Sequence, residues 1–395
     1  MSLILHINSM ASSGCVATIA RSIVEESTRR GYGNVFAYGR GAAPDCCESI
    51  KIGDDIDFYG HVLESRLFDD QGKGSRLATK RFIECLDSLN PDVVHLHNIH
   101  GSYINYRMLF LWLSSSKIKV VWTLHDCWPY TGHCSYYDYV ACSKWQTECK
   151  SCPRTRDYPK SWLIDRSMAN YHEKRQAFTS IDLEKMRLVT PSKWLASELG
   201  SSFLKDYPVS VIPNGIDFAP ADTVTSSPDG RIRLLGVANK WHDIKGLSDL
   251  RKLSNSLDFS KYSLTLVGPI KEDQKKGFAS QVCFAGPVSG HDRMAEAYAA
   301  ADVFLNLTHE DNFPTVNIEA LRCGLPVITY GAGGSGEALD ECTGRVVHNV
   351  GEVQSALDSL VMGNELSAKC IARSMGYTAD ICARSYCDLY DAMVD

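Results

Sequence analysis

The stretch from residue 301 to 330 constrains the fold more than any other part of this chain. Residues 301–307 form an apolar run of strand length, 316–322 carry helical spacing, and 326–330 form a second short run rich in Val, Ile and Tyr. Consecutive strands joined through a helix run parallel, since a parallel pair needs a crossover connection. The same order opens the chain: strand 3–7, loop 8–14, helix 16–30, strand 34–38. Further strand-length runs at 92–96, 120–124, 187–190, 209–212, 231–237, 263–267 and 282–285 extend the pattern. The expected class is α/β, and 395 residues exceed what one core usually sustains, so two domains are expected.

Composition narrows the partners. The net charge of −6 gives no reason to expect nucleic acid. The excess acid lies after Asp217, whereas the first half is near neutral and carries a basic cluster at Lys150, Arg154, Arg156, Lys160, Arg166, Lys174 and Arg175. Such a cluster is a solvated face or a surface for phospholipid headgroups or a lipid-linked diphosphate, which makes peripheral membrane contact one reading. No apolar run approaches the roughly 20 residues of a membrane span, and residues 3–7 are too short for a signal-peptide core. Fifteen cysteines, an odd number spread over both halves, fit a reducing compartment, so a cytoplasmic protein is expected. The sequon at Asn306 falls on a strand predicted to be buried and is discounted.

Chemistry concentrates in the second half. Asp311 precedes the turn Asn312-Phe313-Pro314-Thr315, Thr315 is placed to cap the following helix, and Glu319 lies on that helix. Helix-start N–H groups there would welcome an anion, although acids near a helix start also simply complement its dipole. Upstream, strand 231–237 leads into Asn239-Lys240-Trp241-His242-Asp243-Ile244-Lys245-Gly246, with two lysines five apart. Pro213-Asn214-Gly215-Ile216-Asp217 is turn-forming by residue type.

Together these motifs resemble those of the family 4 glycosyltransferases over nearly the whole chain. The resemblance implies a GT-B fold, two Rossmann-like domains facing each other across a cleft, and retaining transfer from a nucleotide-activated sugar. The paired acids of that family correspond to Asp311 and Glu319, with Ala320, Cys323, Gly324 and Pro326 following in register; the first acid is one methylene shorter here, and adjacent Glu310 is its alternative. Lys240 and Lys245 stand where the family holds the donor diphosphate, Gly286 where backbone pairs with the base, and Glu319 where the ribose is held. The turn phrase 213–217 matches the family's hinge, which gives domains 1–217 and 218–375, a polar linker at 219–230, and a last helix, 376–395, crossing back to the first domain. One helix is expected over 368–393.

In the first half the resembled family has a Gly-Gly pair that lets backbone approach the donor diphosphate or the acceptor, and only Gly14 stands for it here. Strand 92–96 enters His95-Leu96-His97-Asn98-Ile99-His100. Three imidazoles raise a metal, but no carboxylate or further His follows at helical spacing, so hydrogen bonding to loops or acceptor contact through Asn98 and His100 is favoured. His125, delivered by strand 120–124, matches the family's histidine facing the donor. An insertion at 126–160 then brings Cys134, Cys142, Cys149 and Cys152; with Tyr136, Tyr137 and Trp145 beside them, these read as a structural zinc site pinning a segment without its own core, then as free thiols, and last as disulfides.

The resulting expectation is a glycosyltransferase that moves a sugar from a UDP-sugar to a glycan or lipid-linked acceptor in surface polysaccharide assembly. No cofactor is needed for that chemistry. A nucleotide-sugar 2-epimerase and a non-catalytic nucleotide-sugar-binding partner are the alternatives.

Overall fold

In the computed structural model, which describes residues 2–221 and 227–394, the chain divides into two compact units. Unit 1 comprises residues 1–214 with 379–395, and unit 2 residues 215–378. The division falls a few residues before the expected position at 217, and the centre of the expected linker, 222–226, lies outside the described residues.

Unit 1 contains β1 (Leu3–Met10), α1 (Cys15–Arg29), β2 (Gly33–Arg40), β3 (Glu48–Lys51), α2 (Asp55–Phe68), α3 (Arg76–Leu89), β4 (Val93–Leu96), α4 (Tyr106–Ser115), β5 (Lys119–Thr123), α5 (Ser167–Phe178), β6 (Met186–Thr190), α6 (Lys193–Leu199) and β7 (Val209–Val211). Its seven strands are all parallel, in the order β3-β2-β1-β4-β5-β6-β7. Because helices cover both faces, the central strands read as continuous apolar runs, with Val93, Val94, Val120 and Val121 fully buried.

Unit 2 contains β8 (Ile232–Val237), α7 (Leu247–Ser256), β9 (Tyr262–Val267), α8 (Glu272–Lys275), β10 (Cys283–Gly286), α9 (His291–Ala299), β11 (Val303–Asn306), α10 (Thr315–Arg322), β12 (Val327–Tyr330), β13 (Gly344–Val347), α11 (Val353–Asp358) and α12 (Asn364–Ser374). Its six strands are also parallel, in the order β10-β9-β8-β11-β12-β13. In both sheets the order reverses at one place, between β1 and β4 and between β8 and β11. Loops leaving the carboxyl ends of these strands flank the crevice where open α/β sheets take ligands.

The single helix expected over 368–393 is two. Chain direction changes after α12 at 375–378, and α13 (Ala379–Val394) belongs to unit 1. There it packs on α1, with Arg30 Nη1 2.7 Å from both Asp388 Oδ1 and Asp391 Oδ2. Helical periodicity alone could not show the break, since Gly376 and Thr378 are the only poor helix formers at that point.

Candidate functional site

In unit 2 the loop after β8 is drawn against the loop after β11. The His309 N–H donates to the Ile244 carbonyl at 2.7 Å, and Thr308 Oγ1 donates to the same carbonyl at 3.3 Å. Gly246 makes this approach possible: its φ is +78°, and a Cβ there would sit 2.2 Å from the Leu307 carbonyl oxygen. Lys245 Nζ consequently lies 2.8 Å from Asp311 Oδ2, joining two motifs 66 residues apart. From the other side Gly334 N–H holds the Asp311 carbonyl at 3.2 Å. Glu310 is buried beneath the loop, so Asp311 is the acid that Lys245 reaches.

Helix α10 begins at Thr315 with Pro314 in the capping position and no side-chain cap. The expected Thr315 cap is therefore corrected. Its hydroxyl bonds the Glu319 carboxylate instead, one turn along the same helix. Of the first-turn N–H groups, that of Asn317 bonds the Pro314 carbonyl at 3.2 Å. Glu319 also accepts from Tyr298 Oη at 3.0 Å, and burial raises its pKa against the pull of these two hydroxyls. Asn317 fixes the helix, accepting from Asn306 Nδ2 and donating to the Ser335 carbonyl, each at 2.8 Å. Asn312 is buried and Phe313 packs on Ile318, Ala338 and Tyr377, which leaves backbone as the means by which either would meet a ligand.

Lys240 is exposed in the loop after β8, and among the described residues no ion pair ties it to Asp311, the partner of Lys245. Gly286 closes β10 with φ +72°; its carbonyl accepts the Gly268 N–H at 2.7 Å, and the space a side chain would fill is open. Sequence reasoning missed His309, whose Nε2 is 2.7 Å from Asp249 Oδ2 on α7 and whose ring lies 5.0 Å from Tyr330. Adjacency to the acid motif was its only sequence signal; Asp249 is 60 positions away.

Unit 1 presents a different construction. Gly14 precedes α1 with φ +86°, with no atom within 4 Å of where a Cβ would be, so backbone is open to approach there. His125 lies two residues beyond the end of β5, its Nε2 3.3 Å from His97 Nδ1, and burial lowers its pKa to about 4 despite the nearby Asp126. His100 places Nε2 3.0 Å from Asp126 Oδ2 and Nδ1 3.0 Å from Tyr158 Oη. His100 is thus buried between Asp126 and Tyr158. Asn98 is half-buried; its backbone takes part in bonds to Asn8 Oδ1 (3.3 Å) and Tyr103 Oη (2.8 Å).

The cysteine insertion has a core after all. Trp145 stacks on Tyr137 with centroids 4.9 Å apart and meets Tyr130 edge-on at 5.1 Å, all three buried and continuous with the unit's main core. Cys134 and Cys152 share a hydrogen bond that pulls the Cys152 thiol down and pushes Cys134 up, and Cys149 accepts the Gly132 N–H at 3.2 Å. Among the described residues no three of the four thiols lie within 4.8 Å of one another. Two members of the basic cluster are not solvated either. Lys174 is buried, donating to the carbonyls of Trp128 (2.7 Å) and Thr131 (3.0 Å), and Arg154 is buried against Asp157 at 2.8 Å.

The fold has counterparts among solved structures. Sucrose-phosphate synthase from Thermosynechococcus elongatus superposes over 100% of this chain and 99% of its own at TM-score 0.71 and 16% identity. HepE from Anabaena, solved with UDP-glucose, covers 99% of this chain and 100% of its own at TM-score 0.63 and 12% identity. Two Rossmann-like parallel-sheet domains with such neighbours define a GT-B fold. Residues 14–219 match the family model described as Glycosyltransferase Family 4 and residues 232–362 that described as Glycosyl transferases group 1, so the chain belongs to the family 4 glycosyltransferases. The Escherichia coli K12 protein named as a colanic acid biosynthesis glycosyl transferase, WcaC, is 24% identical over 87% of each chain. The sulfoquinovosyl transferase SQD2 of Arabidopsis thaliana is 33% identical over 25% of this chain and 19% of its own.

Proposed function

We propose that this glycosyltransferase moves a sugar, with retention, from a UDP-sugar to a glycan or lipid-linked glycan acceptor during assembly of a surface polysaccharide. The reading is carried by the Lys245–Asp311 contact: a cation and an acid from separate motifs meet beside an uncapped helix start. Lys245, with Lys240, neutralises the departing diphosphate as the glycosidic bond breaks, which is charge stabilisation where charge develops. Asp311 releases Lys245 to the phosphates and faces the positive charge growing at the anomeric carbon. Glu319 holds the ribose hydroxyls and backbone at Gly286 meets the base, while His125 in neutral form contacts donor oxygens. UDP in the HepE structure and the name of WcaC support the donor and the setting.

Incubation with candidate UDP-sugars tests this. UDP release that needs an acceptor is the expected result; a new UDP-sugar formed without acceptor would establish an epimerase, and binding without turnover a non-catalytic partner.

A lipid-linked acceptor would bring unit 1 to a membrane, and its surface suits that. Ile56, Tyr59 and Leu63 project from one face of α2, the first 84% exposed. Exposed Leu163 and Ile164 lie next to Trp162, which Arg66 covers at 5.2 Å. Apolar side chains beside arginine match an anionic bilayer surface. No helix among the described residues is long and apolar enough to span a membrane. Co-sedimentation with phosphatidylglycerol vesicles that is reduced at least severalfold by Ile56→Glu with Leu163→Glu is the expected outcome; equal binding would remove this surface.

A further inference from the structure

The sheet of unit 1 buries a row of histidines that the transfer chemistry does not use. His6 on β1 is the register partner of His95 on β4, and His97 follows His95 two positions on, so all three point to the face shared with Ile4, Val93 and Val121. That face is covered by α13. We propose that His6, His95 and His97 form a binding site for a d-block cation of the zinc class. One ring nitrogen from each lies within 4.8 Å of the others, and among the described residues this is the one group so placed.

Hydrogen bonding shows which nitrogens are already engaged. His6 Nε2 is 3.2 Å from Asn34 Oδ1, an oxygen that already accepts from Ser27 Oγ at 3.0 Å while the Asn34 amide nitrogen donates to Thr28 Oγ1. His6 Nε2 therefore carries the proton, and Nδ1 presents a lone pair, fully buried with no hydrogen-bond partner. His97 repeats the pattern: Nδ1 faces His125 Nε2, and Nε2 is buried without a partner. Thr123 donates to Tyr386 Oη at 3.0 Å, so it accepts from His95 Nε2–H at 2.8 Å, and His95 Nδ1 receives the Tyr390 hydroxyl at 2.6 Å. His6 and His97 are each oriented by a partner on one nitrogen, and His95 by Thr123 on Nε2, as second-sphere groups orient metal-bound imidazoles.

An all-imidazole donor set selects Zn²⁺, Co²⁺ or Ni²⁺ over Mg²⁺ and Ca²⁺, which require oxygen. The three rings bring no charge, and the Tyr390 hydroxyl stands 2.6 Å from His95 Nδ1. Such an ion would join β1 to β4. A further histidine was absent at helical spacing from His95 because it comes from the adjacent strand, 89 positions earlier.

The test uses full-length protein purified without chelator from zinc-supplemented medium, with elemental analysis and cobalt substitution. Close to one equivalent of metal is expected, lost in His6→Gln and His97→Gln and retained in Cys152→Ser. The cobalt form should show d–d bands without thiolate charge transfer. Absence of d-block metal, its retention in both histidine variants, or a thiolate band that vanishes in Cys152→Ser would each overturn the site; the last would assign the ion to the cysteines. If the histidine variants do not fold, the cobalt spectrum of the unsubstituted protein decides. Failure here leaves the transfer reading intact, since no step of it uses this ion.

Discussion

The two units share one strand order and use it in opposite ways. In unit 2 Lys245 and Asp311, part-exposed, come from the loops after β8 and β11 and find one another across them, and His309 on the second loop reaches back to Asp249 on α7. In unit 1 the polar groups at the same topological place are imidazoles inside the sheet, stripped of water and bonded mainly to each other and to tyrosines. Charged groups on loops can exchange a protein partner for a ligand at small cost. Buried neutral groups orient and support, because ionising them is expensive.

The strongest way to break this contrast is at Asp311. Asp311→Asn should lower turnover about 10²–10³-fold with the fold intact, whereas Glu310→Gln should act chiefly on stability; steady-state UDP release with thermal unfolding separates them. Lys245→Ala should lose a charge-assisted bond of about 1.5–3 kcal/mol, read in kcat more than in affinity. Unchanged kinetics would remove Lys245 from the site.

Gly246→Ala tests the loop approach itself. The left-handed backbone and the 2.2 Å clash with the Leu307 carbonyl should cost about 1–3 kcal/mol in urea unfolding, with turnover reduced in the protein that remains folded. Glu319→Gln should weaken UDP binding in calorimetry yet leave the melting temperature equal or higher at neutral pH. The sign follows from burial: a carboxyl whose folded pKa is raised contributes stability below its unfolded pKa and loses it as pH rises through the folded one, so the charge is a liability at pH 7.

The smallest effect expected is in unit 1, at Lys174, whose burial lowers its pKa to about 7. Between about pH 7 and the unfolded value near 10.5 the unfolded chain holds the extra proton, so stability should rise with pH through that window. Lys174→Met should flatten that rise in pH-dependent melting; an unchanged slope would place the charge elsewhere.

Sequence by itself determined the alternation of strands and helices, the family, and the motif positions in unit 2. Apolar period and turn chemistry are local properties, and phrases such as Lys240 to Gly246 and Asp311 to Glu319 keep their spacing within one loop or helix. It did not determine what those side chains touch. Thr315 was free to cap α10 by its position, and only the folded helix gave its hydroxyl to Glu319. His100 and Lys174 read as available polar groups until packing engaged them with Asp126, Tyr158 and two backbone carbonyls. The histidine row, the break before α13 and the aromatic core of the cysteine insertion are likewise products of tertiary structure. Parallel register and the return of α13 to unit 1 bring together residues tens to hundreds of positions apart, and no local pattern encodes which neighbour a strand or helix will choose.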